Sequence, residues 1–438
     1  MSHRARTSPP RNISIAVPKV PVSTYQKTTL PNSIRVVSEE ISHVKSVTIG
    51  VWIDTGSRNE NDTTNGISHF LEHMVFKGTE HRSMQSIARS LEAVGGYMNA
   101  FTTKEHTCFY ARVLDAHVEK AVDVLSDLVQ YPLFPEKEIE KEKQVVLEEI
   151  KNVEDDPDDL IHDVFEENIY APSPLKYPVI GTAKNVSSFT REDLFRHVKT
   201  HYANDRIVIA AAGNVAHEKL VSLIEKYFVL PRRVSNRQMS TSRVQSVRGH
   251  GKGKMVEVPK PIQQAHVCSG TVAFSIHSKH RYPSLVLNTL LGDGMSSRLF
   301  QNIREKYGYA YSVYSFLNLL SNTGSFGVYV GTDKKHIAHC LDLVRAEFSK
   351  LKQKPISTAE LKRTKEQLKG SMLLGLESTS NRMMRLGSGE LYFGEFTELD
   401  AIARHIDSVT ADEVSEVAAL LFREEQFSTI IFSPEVPN

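Results

Sequence analysis

The sequence predicts an α+β protein made of two tandem homologous α+β domains, each a mixed or antiparallel sheet carrying helices, joined by a basic polar linker. Three observations point there. At 438 residues the chain exceeds one ordinary domain. A capped helix followed by an apolar strand occurs once in each half, about 220 residues apart. Within each half, strand candidates sit close together in sequence among amphipathic helices, which favours α+β over a parallel α/β sheet.

The repeat is carried by Val186-Ser-Ser-Phe-Thr190-Arg-Glu-Asp-Leu194 and Ile406-Asp-Ser-Val-Thr410-Ala-Asp-Glu-Val414. In both, a Thr offers its hydroxyl to the free N–H groups of a helix start, and acidic residues follow at the positive end of the helix dipole. Each helix leads into an apolar strand, residues 207–212 and 429–432. Other elements keep the offset. The alternating strand 47–53 matches 267–274, and the helix 117–129 matches 336–351. Residues 231–254 carry Arg232, Arg233, Arg237, Arg243, Arg248, Lys252 and Lys254, no acidic residue, and much Ser, Gly and Gln. Such a stretch cannot bury a core and reads as a linker. The expected layout is a flexible basic tail 1–24, an N-terminal domain 25–230, the linker 231–254 and a C-terminal domain 255–438.

Composition excludes several classes. Hydrophobic residues make up 40% and charged residues 24%, the profile of a soluble globular protein. Lys and Arg number 53 against 52 for Asp and Glu, so the charge balance favours neither nucleic acid nor membrane as partner. The basic linker has no interleaved aromatics with which to stack bases. No run approaches the roughly 18 apolar residues of a membrane span. Cys108, Cys268 and Cys340 are few, odd in number and far apart, which suggests buried inert thiols in a reducing compartment. Arg4, Arg6 and Arg11 precede the first acidic residue, Glu39, a composition that also suits a short organelle-targeting peptide. The expected location is a bacterial-type cytoplasm, with the mitochondrial matrix as the alternative.

The chemistry is concentrated in His69-Phe-Leu-Glu-His73. Each helical step turns about 100°, so His69 and His73 stack one turn apart with Glu72 beside them. Two imidazoles at i and i+4 are a pair of zinc ligands, and the adjacent carboxylate can take a proton from water. The order His-x-x-Glu-His inverts the His-Glu-x-x-His arrangement of other zinc proteases. At the corresponding place in the second half, near 287–294, the chain reads Leu-Gly-Asp-Gly-Met, so only the first half can hold this metal.

A catalytic zinc typically takes three protein ligands. Residues 136–154 form a strong helix candidate, with Ile139, Val146, Ile150 and Val153 marking its buried stripe. Glu142 and Glu149 fall on that stripe, where a carboxylate is costly unless paired or metal-bound. Glu149 is therefore the candidate third ligand and Glu142 a neighbour of the site, with Glu148 further round the helix.

At this point the stretch Gly66-Ile-Ser-His-Phe-Leu-Glu-His-Met-Val-Phe-Lys-Gly-Thr79, with Glu149 following 76 residues after His73, resembles the inverzincin metallopeptidases. That family includes pitrilysin, insulysin and the mitochondrial processing peptidase, the last being the most similar branch, and the likeness runs over residues 29–432. It implies one zinc ion per chain on His69, His73 and Glu149, with Glu72 as general base and Glu142 in support. It also implies that Asn99, Ala100 and Phe101 form the edge to which an extended peptide is added as a strand. In the second half it implies that Arg304 and Tyr311 hold the scissile region from across a chamber, the phenol near the developing oxyanion.

The implied activity is zinc-dependent endopeptidase cleavage of unfolded or extended peptides. The zinc set and the Arg/Tyr pair share one chain, and Gly292-Asp-Gly-Met is short where metal-free relatives carry a long glycine-rich loop. A homodimer is expected. The alternatives are a heterodimer in which a beta-type catalytic subunit needs a metal-free homologue, or a non-catalytic scaffold of the same fold.

Overall fold

The structure, a computed structural model, describes residues 24–229 and 253–435. The expected tail 1–24 and linker 231–254 lie almost wholly outside the described residues.

The first half holds strands Thr24–Thr29 (β1), Arg35–Glu40 (β2), Ser46–Ile53 (β3), Tyr97–Thr102 (β4), Thr107–Leu114 (β5) and Ile207–Gly213 (β6). They form one six-stranded sheet in the order β1-β2-β6-β3-β5-β4. Only β2 and β6 run parallel. The second half holds Met255–Lys260 (β7), Ala265–Ala273 (β8), Ala310–Leu319 (β9), Gly324–Thr332 (β10) and Ser428–Pro434 (β11), in the order β7-β11-β8-β10-β9. Here β7 and β11 are the parallel pair. Setting β1 aside, the two sheets match strand for strand, so the repeat read in the sequence is a repeat of topology.

The first half contributes helices Ile67–Met74 (α1), Met84–Glu92 (α2), Val118–Gln130 (α3), Glu136–Asp155 (α4), Pro157–Tyr170 (α5), Ala183–Ser188 (α6), Arg191–His201 (α7) and His217–Tyr227 (α8). The second contributes Arg281–Gly292 (α9), Ile337–Gln353 (α10), Thr358–Gly375 (α11), Thr379–Phe393 (α12), Leu399–Ser408 (α13) and Ala411–Leu421 (α14). The two Thr-led starts are α7 and α14. Each closes a reciprocal capping box, Thr190 with Asp193 and Thr410 with Glu413. No helix of the described residues is long and apolar enough to cross a membrane.

Each sheet buries one face under helices of its own half. Val47, Ile49, Val51 and Ile53 of β3 point into the first core with Phe70, Leu71, Leu125 and Val146. Burial of each such side chain stabilises by roughly 1.5–3 kcal/mol.

The other face of each sheet is covered by the opposite half. On α5, Ile161, Phe165 and Ile169 pack against Cys268, Tyr329, Ile430 and Phe432 of the second sheet. On α12, Met383 and Leu386 pack against Val37, Trp52, Val208 and Ala210 of the first. Each half thus leaves one sheet face apolar, and the other half covers it. All three cysteines are free and buried, and burial pushes their thiols up, out of the reactive range.

The α12 contact leaves no slack. A Cβ built on Gly387 would overlap the indole of Trp52. Gly387→Val should therefore cost about 1–3 kcal/mol, read as a lower urea midpoint and a shifted emission of Trp52, the chain's only tryptophan. An unchanged midpoint would contradict close docking of α12.

Candidate metal centre

Helix α1 starts where few residues could start it. Gly66 has φ of 95°, the left-handed region open to glycine. A Cβ there would also meet the backbone of Gly181 at 2.7 Å. The first free N–H groups of α1 are taken by buried Glu60, which accepts from Gly66 N at 2.8 Å and Ser68 N at 2.9 Å. Ile67, Phe70, Leu71 and Met74 then bury one face. The opposite face carries His69, Glu72 and His73, whose imidazoles lie 4.7 Å apart between ring centres.

Helix α4 packs across α1, burying Ile139, Glu142, Val146 and Ile150. Its Glu149 Oε2 stands 3.6 Å from His73 Nε2 and 4.0 Å from His69 Nε2. One donor atom from each of His69, His73 and Glu149 lies within 4.8 Å of the other two, the one such trio among the described residues. Donors round a tetrahedral zinc lie about 3.3 Å apart, so a slight inward movement of Glu149 closes the set.

The surroundings favour a cation. Glu142 Oε1 contacts His73 Nδ1 at 2.9 Å, and its Oε2 contacts Lys77 Nζ at 2.6 Å. Burial works against the charge of Glu142, but those two contacts outweigh it and hold its pKa below the usual range. An ionised carboxylate only accepts, so Nδ1 of His73 carries a proton, which leaves Nε2, on the side of Glu149, as the atom to ligate. Burial, then the neighbouring His73, pushes His69 down to about 4, leaving a neutral imidazole fit to ligate. For His73, burial is outweighed by the Glu142 contact and by the charges of Glu149, Glu142 and Glu72, which raise its pKa. Three carboxylates against one lysine leave negative charge for a divalent ion to neutralise. The donor set, two imidazoles and a carboxylate, suits zinc.

Glu72 is not a ligand in this geometry. Its Oε2 accepts from Thr102 Oγ1 at 2.6 Å, and burial raises its pKa against the opposing pull of that bond and of His73. Thr102 ends β4, the edge strand beyond β5. Asn99, Ala100 and Phe101 lie on this same edge strand. Ala100 packs on the first core, and Phe101 meets Trp52 edge-on at 5.5 Å. Beside them a cavity of about 240 Å³ is lined by Phe76, Ile87, Leu91 and Met98, with Lys77 and Glu92 also on its wall.

In the second half, Arg304 belongs to a π-helical turn, Phe300–Glu305, and its guanidinium lies 5.2 Å from the Tyr311 ring centre. Tyr311 is 78% exposed. Among the described residues, no hydrogen bond, ion pair or ring contact joins this pair to His69, Glu72, His73 or Glu149. Helix α9 stands where the repeat would put the counterpart of α1, and it offers Val286, Leu287, Leu290 and Leu291 to the second core.

Comparison with known proteins gives the family. Residues 35–183 match the family described as Insulinase (Peptidase family M16), and residues 188–368 match the Peptidase M16 inactive domain. The uncharacterized zinc protease YmxG of Bacillus subtilis is 40% identical over 416 residues, covering 93% of this chain and 97% of that one. The chain belongs to peptidase family M16.

A probable mitochondrial-processing peptidase subunit beta of Arabidopsis thaliana is 36% identical over 408 residues, covering 89% of this M16 chain and 75% of that protein. A protease from Helicobacter pylori shares the fold, with a TM-score of 0.87 at 22% identity over 94% of this chain and 100% of the other. The second family match begins at residue 188, ahead of β6, which belongs to the first sheet.

One expectation needs correction. Glu142 and Glu149 do not share one buried stripe: Glu142 is 4% exposed, whereas the Glu149 side chain is 39% exposed. Seven residues of a 3.6-residue helix drift by about 20°, which swings Glu149 towards the open side of the histidines. Sequence reasoning also missed Thr102, Lys77 and Glu60. Lys77, one turn beyond His73, carried a faint signal. Thr102 and Glu60 carried none.

Because Glu142 fixes the His73 tautomer, Glu142→Ala should weaken zinc binding by about 10–100-fold. Competition against a chromogenic chelator would measure it, and wild-type affinity would remove Glu142 from the site.

Proposed function

We propose that this chain is a zinc-dependent metalloendopeptidase acting on extended segments of peptides and unfolded proteins. The observation that carries the reading is the convergence of His69, His73 and Glu149, with Glu72 beside them, at the end of an unpaired strand edge. His69, His73 and Glu149 would hold one zinc ion. Bound there, zinc supplies a Lewis acid for the scissile carbonyl and brings water towards a pKa of about 7.

The chain's own residues do the rest. Thr102 occupies Oε2 of Glu72, so Oε1 is the atom left to take a proton from water and pass it to the leaving amine. The free edge of β4 offers main-chain groups to an incoming strand, so affinity comes with little regard to sequence. The cavity lined by Phe76 and Met98, with Lys77 and Glu92 on its wall, has room for one large side chain of that strand. Arg304 and Tyr311 would hold the substrate from the second half. The exposure of Tyr311 supports that role, because its hydroxyl is open to a ligand.

We also infer a homodimer acting in a reducing compartment. The similarity to a protein named as a subunit favours one rival, a catalytic chain that stays silent without a metal-free partner.

The decisive assay uses the purified chain alone with an extended fluorogenic peptide. Wild type should cleave and chelator should stop it, whereas Glu72→Gln should keep zinc yet lose roughly 10²–10⁴-fold in kcat. Substantial turnover by Glu72→Gln would overthrow the base assignment, and silence of the wild type until a homologue is added would favour the rival. Tyr311→Phe should lower kcat by roughly 10²-fold with zinc retained. An unaltered kcat would exclude that phenol from the reaction.

A further inference from the structure

Glu105 is an acid the mechanism above does not use, and it is among the most enclosed charges in the molecule, 1% exposed. It sits in the turn between β4 and β5. Its Oε2 accepts from Tyr392 OH at 2.8 Å and Ser321 N at 3.0 Å, and its Oε1 accepts from Ser321 Oγ at 2.5 Å. Arg58 pairs with the same carboxylate and also donates to Ser321 Oγ at 2.6 Å and to Asn322. Ser321 and Asn322 form the tip between β9 and β10, the hairpin that the repeat makes equivalent to β4–β5. Tyr392 lies near the end of α12. The equivalent turns of the two halves therefore meet, with a buried carboxylate as the joint.

What hangs on this joint is the catalytic base. The turn is closed by Thr103 N on His106 O at 2.7 Å and is tied to the neighbouring loop by Arg58 N on Lys104 O at 2.9 Å. The residue immediately before it, Thr102, donates to Glu72 Oε2. A catalytic group displaced by a fraction of an ångström loses most of its effect, so whatever fixes the turn fixes the orientation of Glu72.

We propose that Glu105 is a positioning residue through which the metal-free half holds the catalytic base, acting on Glu72 by way of Thr102. This rests on Glu72 being that base. It gives the second half a part in the chemistry besides enclosing the substrate. The rival is a purely structural joint, which would affect folding stability and leave turnover per folded, metal-loaded molecule unchanged.

The test removes the second half's two side-chain donors, leaving the Ser321 backbone N–H in place and Arg58 to compensate the charge of Glu105, using the double variant Ser321→Ala/Tyr392→Phe. Per zinc-loaded molecule, kcat should fall about tenfold with KM and zinc content unchanged. In a Thr102→Val background, itself slowed about 10–100-fold, the double variant should cause no further loss, because the two act in series. Thr102→Ser should restore most of the activity. In metal-free protein, hydrogen exchange should accelerate at amides 103–107 and not in α1. Equal fold-losses in both backgrounds, a change confined to KM, or unaltered exchange in the turn would each overturn the proposal. Exchange in the turn is read without catalysis, so it stays informative even if Glu72→Gln proves active and the base assignment itself fails.

Discussion

The geometry of the metal centre depends on one buried carboxylate that is not itself a ligand. Glu142 reaches α1 with one oxygen, on the His73 imidazole, and with the other holds Lys77 in the turn just beyond that helix. A lone buried carboxylate would be expelled or protonated, but a doubly bonded one is held and holds its partners in turn. That bridge fixes the roll of α4 against α1. Glu149 lies two turns further along the same rigid helix, so it reaches the two Nε2 atoms without contacts of its own to place it. The Glu142 bridge also settles which nitrogen of His73 bears the proton. One interaction thus sets both the position of the third donor and the state of the second.

The duplicated architecture explains how a chain with one such donor set among its described residues comes to need two similar halves. The sheets repeat strand for strand, yet α9, which stands in the place of α1, has no histidine between Arg281 and Gly292. Freed of ligand duty, that helix serves only its own core. The second half instead supplies α12 to the back of the first sheet and receives α5 on its own. An apolar sheet face that only the partner covers makes the halves mutually dependent, and the Glu105 joint adds a polar contact at the matching hairpins. Buried ion pairs contribute little net stability but strongly penalise wrong registers. A network of this kind is suited to fixing orientation where the apolar surfaces alone would allow sliding.

What could be read from the sequence divides by range. His69, Glu72 and His73 lie within five residues, and helical geometry alone puts them on one face. Glu149 was legible through its spacing of seven residues from Glu142 along the helix 136–154, but its place off the buried stripe was not. The Thr190 and Thr410 caps were legible because a capping box is a local device. Thr102 was not, since its value lies in contact with a helix thirty residues earlier. Glu105 reads as one more charge in a turn until Ser321 and Tyr392 are brought to it across the fold. The apolar spacing of Ile161, Phe165 and Ile169 announces an amphipathic helix without saying which sheet it covers. Periodicity identifies a buried face, and only topology names what buries it.

The exposed edge of β4 is the feature hardest to justify on stability alone. An unpaired strand edge invites aggregation, and proteins usually blunt it with charge, proline or a covering element. Here Tyr97–Thr102 has no charged residue and no proline among its six residues and ends on the hydroxyl that holds Glu72. The same row of free N–H and C=O groups that threatens aggregation can dock an extended chain with its backbone in register with the base. Pairing of that kind reads conformation before it reads side chains. On the function proposed above, it would admit unfolded segments and reject folded ones, because a folded substrate has already committed its backbone hydrogen bonds. On this argument the selectivity of the site lies first in what shape a substrate can take, and only then in the side chain offered to the cavity beside Phe76.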